Sequence, residues 1–270
     1  MMTKERPSRP TTHLEVLSKE WLNPTMLRLI VGGPNFDSFN DIGFSDAYIK
    51  IVFDPEGKPY PHVVDVRQIQ ETEPRENWPK TRTYTVRWVD QENKCLAIDL
   101  VIHGDEGVAA PWAVNCKEGD LIQFMGPGGK WEPDSESDFH LFVGDESALP
   151  AIAAGLERLP EDAEGAAVIE VSEHGLDVAH PEGVSVQWLV RGHDAYDPAA
   201  LAAKVRGLGL ADKGTVSVFA HGERDAMKQL RAVFNELEIP RERLSLSGYW
   251  ANGRVEDVFQ AEKRTDIGKI

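Results

Sequence analysis

The sequence predicts a six-stranded antiparallel β-barrel followed by a parallel-sheet α/β domain. Three observations predict it. Residues 1–132 carry short apolar stretches, several with period-2 alternation and little helical period. From residue 139 onward, apolar strand-like stretches alternate with helical ones. Between the halves lies a polar, acidic segment, residues 133–138, which reads as a linker.

In the first half the expected strands run over 12–17, 26–31, 47–53, 81–89, 96–103 and 121–126. Turn-rich pieces such as Gly32-Gly33-Pro34-Asn35 separate them. One short helix is expected around Trp112-Ala113-Val114. Short strands with turn signals between them favour a small closed barrel. In the second half, strands are expected over 139–143, 166–171, 185–190, 216–220 and 244–249. Helices are expected over 148–159, where Pro160 ends the run, and over 199–205 and 223–237. This βαβ rhythm implies a parallel sheet with helices on its faces, and such a sheet takes a dinucleotide at its carboxyl edge.

At 270 residues and 41% hydrophobic, the chain can bury two ordinary cores. No run approaches the roughly 18 apolar residues that a membrane span needs, and residues 1–10 lack an apolar signal-peptide region. A cytoplasmic protein, not inserted in a membrane, is expected. Nothing in the sequence demands more than a monomer. Cys95 and Cys116 are too few for a disulfide framework and read as small apolar residues. His62, His140, His174, His180, His193 and His221 are scattered and suggest no metal site. The net charge of −16 argues against nucleic acid and anionic membranes as partners. It would also repel an anionic substrate unless basic residues gather locally.

Arg82-Thr83-Tyr84-Thr85 is the most informative segment. An arginine, an aromatic ring and a hydroxyl at spacing R-x-Y-T suit a flavin. The guanidinium can hold a pyrophosphate, the phenol ring can lie against the isoalloxazine, and the threonine hydroxyl can bond a ring nitrogen. Arg82 and Tyr84 share one strand face. Downstream, the small-residue loop at 107–113 lets backbone amides approach phosphate oxygens. In the second half, Gly144-Asp145-Glu146-Ser147 lies between a strand and a helix, where Asp145 or Ser147 would serve as a helix cap. It lacks the G-x-G-x-x-G fingerprint.

Five segments together resemble the siderophore-interacting proteins, a family of flavin-dependent ferric-siderophore reductases similar in fold to ferredoxin reductases. They are Tyr48-Ile49-Lys50-Ile51, Arg82-Thr83-Tyr84-Thr85-Val86-Arg87, His103-Gly104 with Ala109-Ala110 and Trp112-Ala113, Gly144 to Pro150, and Gly248-Tyr249-Trp250 with Gly253 and Glu256. The resemblance implies a flavin-binding barrel over 1–132 and a nicotinamide-nucleotide-binding domain over 139–270. It implies FAD as cofactor, held by Arg82, Thr83, Tyr84, Thr85 and His103 and by the loop residues Val108, Ala109, Ala110, Trp112 and Ala113. The loop departs from the family's usual pattern, in which proline is commoner where Val108 stands and a basic residue where Pro111 stands. Asp145 and Ser147 would lie where flavin and nicotinamide meet.

The same resemblance implies a ferric siderophore, catecholate or hydroxamate, as substrate. Lys50, Lys130 and Arg254 match the family's basic residues near the flavin edge, although Ala251 stands where the basic residue usually follows the tryptophan. The flavin carries the chemistry, so no side chain acts as nucleophile or metal ligand. The electron donor would be NADH or NADPH. Glu173, after the second α/β strand, leans toward NADH, as does the short C-terminal end; Arg191 and Arg224 could instead serve a 2′-phosphate. Two rivals remain: a general flavin or ferredoxin-type reductase with another acceptor, and a siderophore-binding protein without catalysis.

Overall fold

A computed structural model describes residues 11–55, 60, 63–102, 107–192 and 196–270. The chain divides into two compact units, 1–43 with 47–129, and 44–46 with 130–270.

The first unit is a closed barrel of β1 (Thr11–Asn23), β2 (Met26–Gly32), β3 (Tyr48–Phe53), β4 (Lys80–Asp90), β5 (Cys95–Val101) and β6 (Leu121–Gly128). The strands close in the order β1-β2-β5-β4-β3-β6, with every pairing antiparallel. Alternation builds the core. Along β3, Ile49, Ile51 and Phe53 are buried while Lys50 and Val52 are not. Leu14, Val16, Leu29, Ile98 and Phe124 fill the same core from other strands. Asp99, a carboxylate buried on β5, is held by a two-pronged bond to Arg28 at 2.7 and 2.8 Å. Helix α2 (Ala109–Asn115) forms at the expected short helix, and its Ala109 and Ala113 are buried. Helix α1 (Val66–Thr72), not expected from the sequence, starts where the Asp65 carboxylate accepts the Arg67 and Gln68 amides.

The second unit carries β7 (Phe139–Asp145), β8 (Gly165–Val171), β9 (Val184–Val190), β10 (Val216–Glu223) and β11 (Leu244–Trp250). All pair in parallel, in the order β11-β10-β7-β8-β9. On one face, α4 (Ala200–Arg206) and α5 (Arg224–Glu236) pack on Leu141, Val143, Val218 and Ala220. Met227, Leu230, Val233 and Phe234 recur at helical spacing and form the buried stripe of α5. On the other face, Trp131, Phe142 and Phe219 form a ring cluster, with centroids of Trp131 and Phe219 4.6 Å apart. Gly155 of α3 (Leu149–Leu156) lies against it. A Cβ there would stand 2.6 Å from the Phe142 ring, so this approach requires glycine. A last helix, α6 (Glu256–Glu262), was not expected either. Among the described residues no helix is long and apolar enough to cross a membrane.

Candidate functional site

In the barrel, register decides which way the R-x-Y-T segment faces. Tyr84 pairs with Ile49, Arg82 with Ile51 and Lys80 with Phe53. Directly paired residues share a sheet face, so Lys80, Arg82 and Tyr84 lie on the face of the buried aliphatics. Tyr84 is half-buried against the barrel core. The Arg82 guanidinium donates to the Thr81 carbonyl at 2.9 Å. Thr83 and Thr85 take the other face, paired with Lys50 and Tyr48, Thr83 exposed and Thr85 buried.

Beside this strand lies a cavity of about 720 Å³, lined by Val52, Phe53, Asp54, Tyr60, Lys80, Gly107, Val108, Trp112, Leu121 and Gln123. The size suits a cofactor fragment. Trp112 of α2 stands edge-on to Phe53, 5.7 Å between centroids, and fixes one wall. Lys80, two residues before Arg82 on the same face, carries the wall toward the arginine. One cation, Lys80, with the loop at Gly107 and Val108 and the aromatic walls, fits the pyrophosphate and rings of FAD, and Asp54 is the acid in the lining. Sequence reasoning missed Lys80, Phe53 and Tyr60. Lys80 could have been found from its i−2 spacing to Arg82. Ala109 and Ala113 face the core, while Ala110 and Trp112 are half-buried. His103 lies outside the described residues.

At the carboxyl edge of the parallel sheet, buried acids are tied to one another's strands. Asp145, at the end of β7, accepts four bonds: Ser147 N at 2.9 Å, Ser147 Oγ at 2.5 Å, Glu223 N at 2.7 Å and Trp250 Nε1 at 2.8 Å. Burial pushes its carboxyl above the usual range, and the four donors pull against that. Gly222 permits the approach, since its φ is +154° and a Cβ would sit 2.7 Å from Asp145 Oδ2. Glu223 caps α5 through the Asp225 and Ala226 amides and accepts the Tyr196 hydroxyl and the Asn252 amide. Glu146 accepts the Ser172 hydroxyl at 2.8 Å, and Glu170 binds Arg191 at 2.7 Å. Neither Asp145 nor Ser147 caps α3, contrary to the simple reading of the sequence. The N-cap is Ala148, which has no side-chain bond; Asp145 Oδ1 stays on Ser147, and its Oδ2 is taken by β10 and β11.

The three candidate substrate cations divide between the units. Lys50 sits on β3 opposite Thr83. Lys130 belongs to the second unit, where its amide donates to Asp46 Oδ1 at 2.8 Å. Arg254 Nε donates to Glu262 Oε1 at 2.9 Å, and Glu262 also binds the buried Arg224. Two arginines on one carboxylate hold the Glu262 carboxyl low. His221 is buried, stacked 3.9 Å from Phe219, with Nε2 2.9 Å from Ser245 Oγ. Burial pushes its pKa down to about 3. Both cysteines are free and buried, and burial pushes their thiols up. Among the described residues no group of three histidine, cysteine or acidic side chains could hold a metal ion.

A family model described as the siderophore-interacting FAD-binding domain matches residues 15–131, and one described as siderophore-interacting protein matches residues 137–253. An uncharacterized protein of Mycobacterium tuberculosis H37Rv is 41% identical, over 95% of each chain. The NADPH-dependent ferric-chelate reductase of Escherichia coli K12 is 31% identical, over 88% of this chain and 91% of its own. The crystal structure of a siderophore utilization protein from T. fusca superposes with a TM-score of 0.80 at 31% identity, covering 93% of this chain and 96% of that one. These matches support the barrel followed by a parallel α/β sheet, and FAD as the cofactor of the barrel.

Proposed function

The chain belongs to the siderophore-interacting protein family, and we propose that it is a cytoplasmic ferric-siderophore reductase. Arg82, Tyr84 and the loop at 107–113 would hold FAD, which would supply hydride uptake from NADH or NADPH and single-electron delivery to siderophore-bound Fe(III), the metal then leaving as the less tightly held Fe(II). The observation that carries this reading is Arg82 and Tyr84 on one face of β4 beside a cavity that also receives Lys80 and Trp112, all inside the FAD-binding match.

In this reading the barrel, residues 1–132, holds the flavin, residues 139–270 hold the donor nucleotide, and 133–138 link them. Arg82 neutralises the pyrophosphate with charge-assisted bonds. Tyr84 packs on the ring, and Thr83 and Thr85 complete the strand's contact, Thr85 reaching the redox edge. His103 and the loop residues Val108, Ala109, Ala110, Trp112 and Ala113 receive the nucleotide part. Asp145 and Ser147 stand at the donor's side. Lys50, Lys130 and Arg254 draw in an anionic ferric complex against the net charge of −16. The protein supplies orientation and electrostatics, and works as a monomer.

Charge reversal separates this reading from a general reductase. In Lys50→Glu and Lys130→Glu, KM for a ferric catecholate should rise far more than KM for a neutral quinone, and the gap should shrink at high salt. Equal effects on both acceptors would favour the general reductase. A colourless protein that takes up no FAD would favour a binding protein.

A further inference from the structure

In an open parallel sheet a dinucleotide lies outside the carboxyl ends of the strands, and residues just past those ends meet its ribose. A 2′-phosphate needs cations or hydroxyls turned outward, whereas a 2′-hydroxyl can donate to a carboxylate. Three donors stand just past strand ends here: Ser172 after β8, Arg191 after β9 and Arg224 after β10. Each is turned onto an acid of its own unit. Ser172 Oγ donates to Glu146 at 2.8 Å. Arg191 Nη1 donates to Glu170 at 2.7 Å, and Arg224 is buried against Glu262. Glu146 and Glu170 are 6% and 4% exposed. Pulling Arg191 out to a phosphate would leave Glu170 as a buried charge without its partner, which is costly. On the solvent side of Ser172 stands Glu173, with its side chain 49% exposed and 3.8 Å from His174.

We infer that Glu146 and Glu170 are specificity-determining residues. By holding Ser172 and Arg191 inward, with Glu173 outside them, they make this edge accept a ribose 2′-hydroxyl and refuse a 2′-phosphate, so that the donor is NADH. The inference rests on the reading that a nicotinamide nucleotide reduces the protein from this edge. It goes beyond Glu173, because a lone surface acid would leave Arg191 able to turn toward a phosphate.

The test is anaerobic reduction of the FAD-loaded protein by NADH and by NADPH, with calorimetric titration of 5′-AMP and 2′,5′-ADP. A charged hydrogen bond is worth roughly tenfold to a hundredfold, so the native protein should favour NADH and 5′-AMP by at least about tenfold. Glu170→Gln should narrow both preferences by a similar factor, and Arg191→Ala added to it should restore them. Glu173→Arg, a surface change that leaves the buried pairs intact, should narrow them too. A native preference for NADPH would overturn the inference and leave the reductase reading standing, as would a folded Glu170→Gln protein with unchanged ratios. If neither nucleotide bleaches the flavin, the reductase reading falls and the inference falls with it. Should Glu170→Gln fail to fold, Glu146→Gln, which releases Ser172, decides in its place: narrowed ratios support the inference, and unchanged ratios in the folded protein overturn it.

Discussion

The two units bury their polar groups in opposite ways. In the barrel, Asp99 is the buried carboxylate among the described residues, and Arg28 on the neighbouring strand neutralises it. In the α/β unit, Asp145, Glu146, Glu170 and Glu223 are all buried at one sheet edge. There they accept hydroxyls, amides, an indole and a guanidinium. The barrel is therefore an apolar scaffold that carries its candidate residues on a regular strand beside a cavity. The α/β unit has built its edge out of a polar network. A low-dielectric network holds firmly only when every member is satisfied, so this edge should be far more sensitive to single polar substitutions than the barrel.

The largest effect should come from Asp145→Ala. It strips the partner from Trp250 Nε1 and from the Glu223 and Ser147 amides. At about 1–3 kcal/mol for each buried donor left unmet, the loss should reach at least about 3 kcal/mol. Denaturant unfolding followed by tryptophan fluorescence would show it. A change below about 1 kcal/mol would mean that water replaces the carboxylate readily, and the contrast between the units would weaken.

Arg82→Ala comes next. It should leave the barrel folded and weaken FAD binding by roughly tenfold to a hundredfold, the worth of a charge-assisted bond. Flavin fluorescence during titration measures it. A fully loaded variant would contradict the pyrophosphate role.

The smallest effect concerns pH. His221 binds its proton with a folded pKa of about 3, against an ordinary value of 6.5, because it is buried and Lys263 lies nearby. A depressed histidine favours the folded state above pH 6.5, and that contribution is lost as pH falls from there toward 3. Between pH 6.5 and 5.5 the loss is about 1 kcal/mol. Phe219, Tyr249 and Ser245 also face the ring and do not offset this loss. His221→Gln should flatten the pH dependence of unfolding in that window. An unchanged slope would mean that the ring is hydrated when charged.

The same contrast explains what could be read in the sequence. The barrel strands and the βαβ rhythm were legible because their apolar spacing is local, and the R-x-Y-T segment could be singled out because its four residues are contiguous. The helices α1 and α6 were not, being seven-residue elements without a strong apolar stripe. Val255 and Val258, at the start of α6, are exposed. Asp145 or Ser147 was read as a cap because two of Asp145's partners, Glu223 and Trp250, lie 78 and 105 residues away in the chain. Similarly, Arg191 and Arg224 looked available for a phosphate until the fold brought Glu170 and Glu262 against them. Spacing reveals which residues share a strand; it does not reveal which distant carboxylate has already taken a donor.

The most direct test of the central claim is the visible spectrum of the purified, FAD-loaded protein through one redox cycle without oxygen. The account predicts flavin bands that bleach on adding NADH and return on adding a ferric catecholate, with Fe(II) captured by a chelator. A loaded protein whose bands bleach and stay bleached in the presence of ferric siderophores would contradict it.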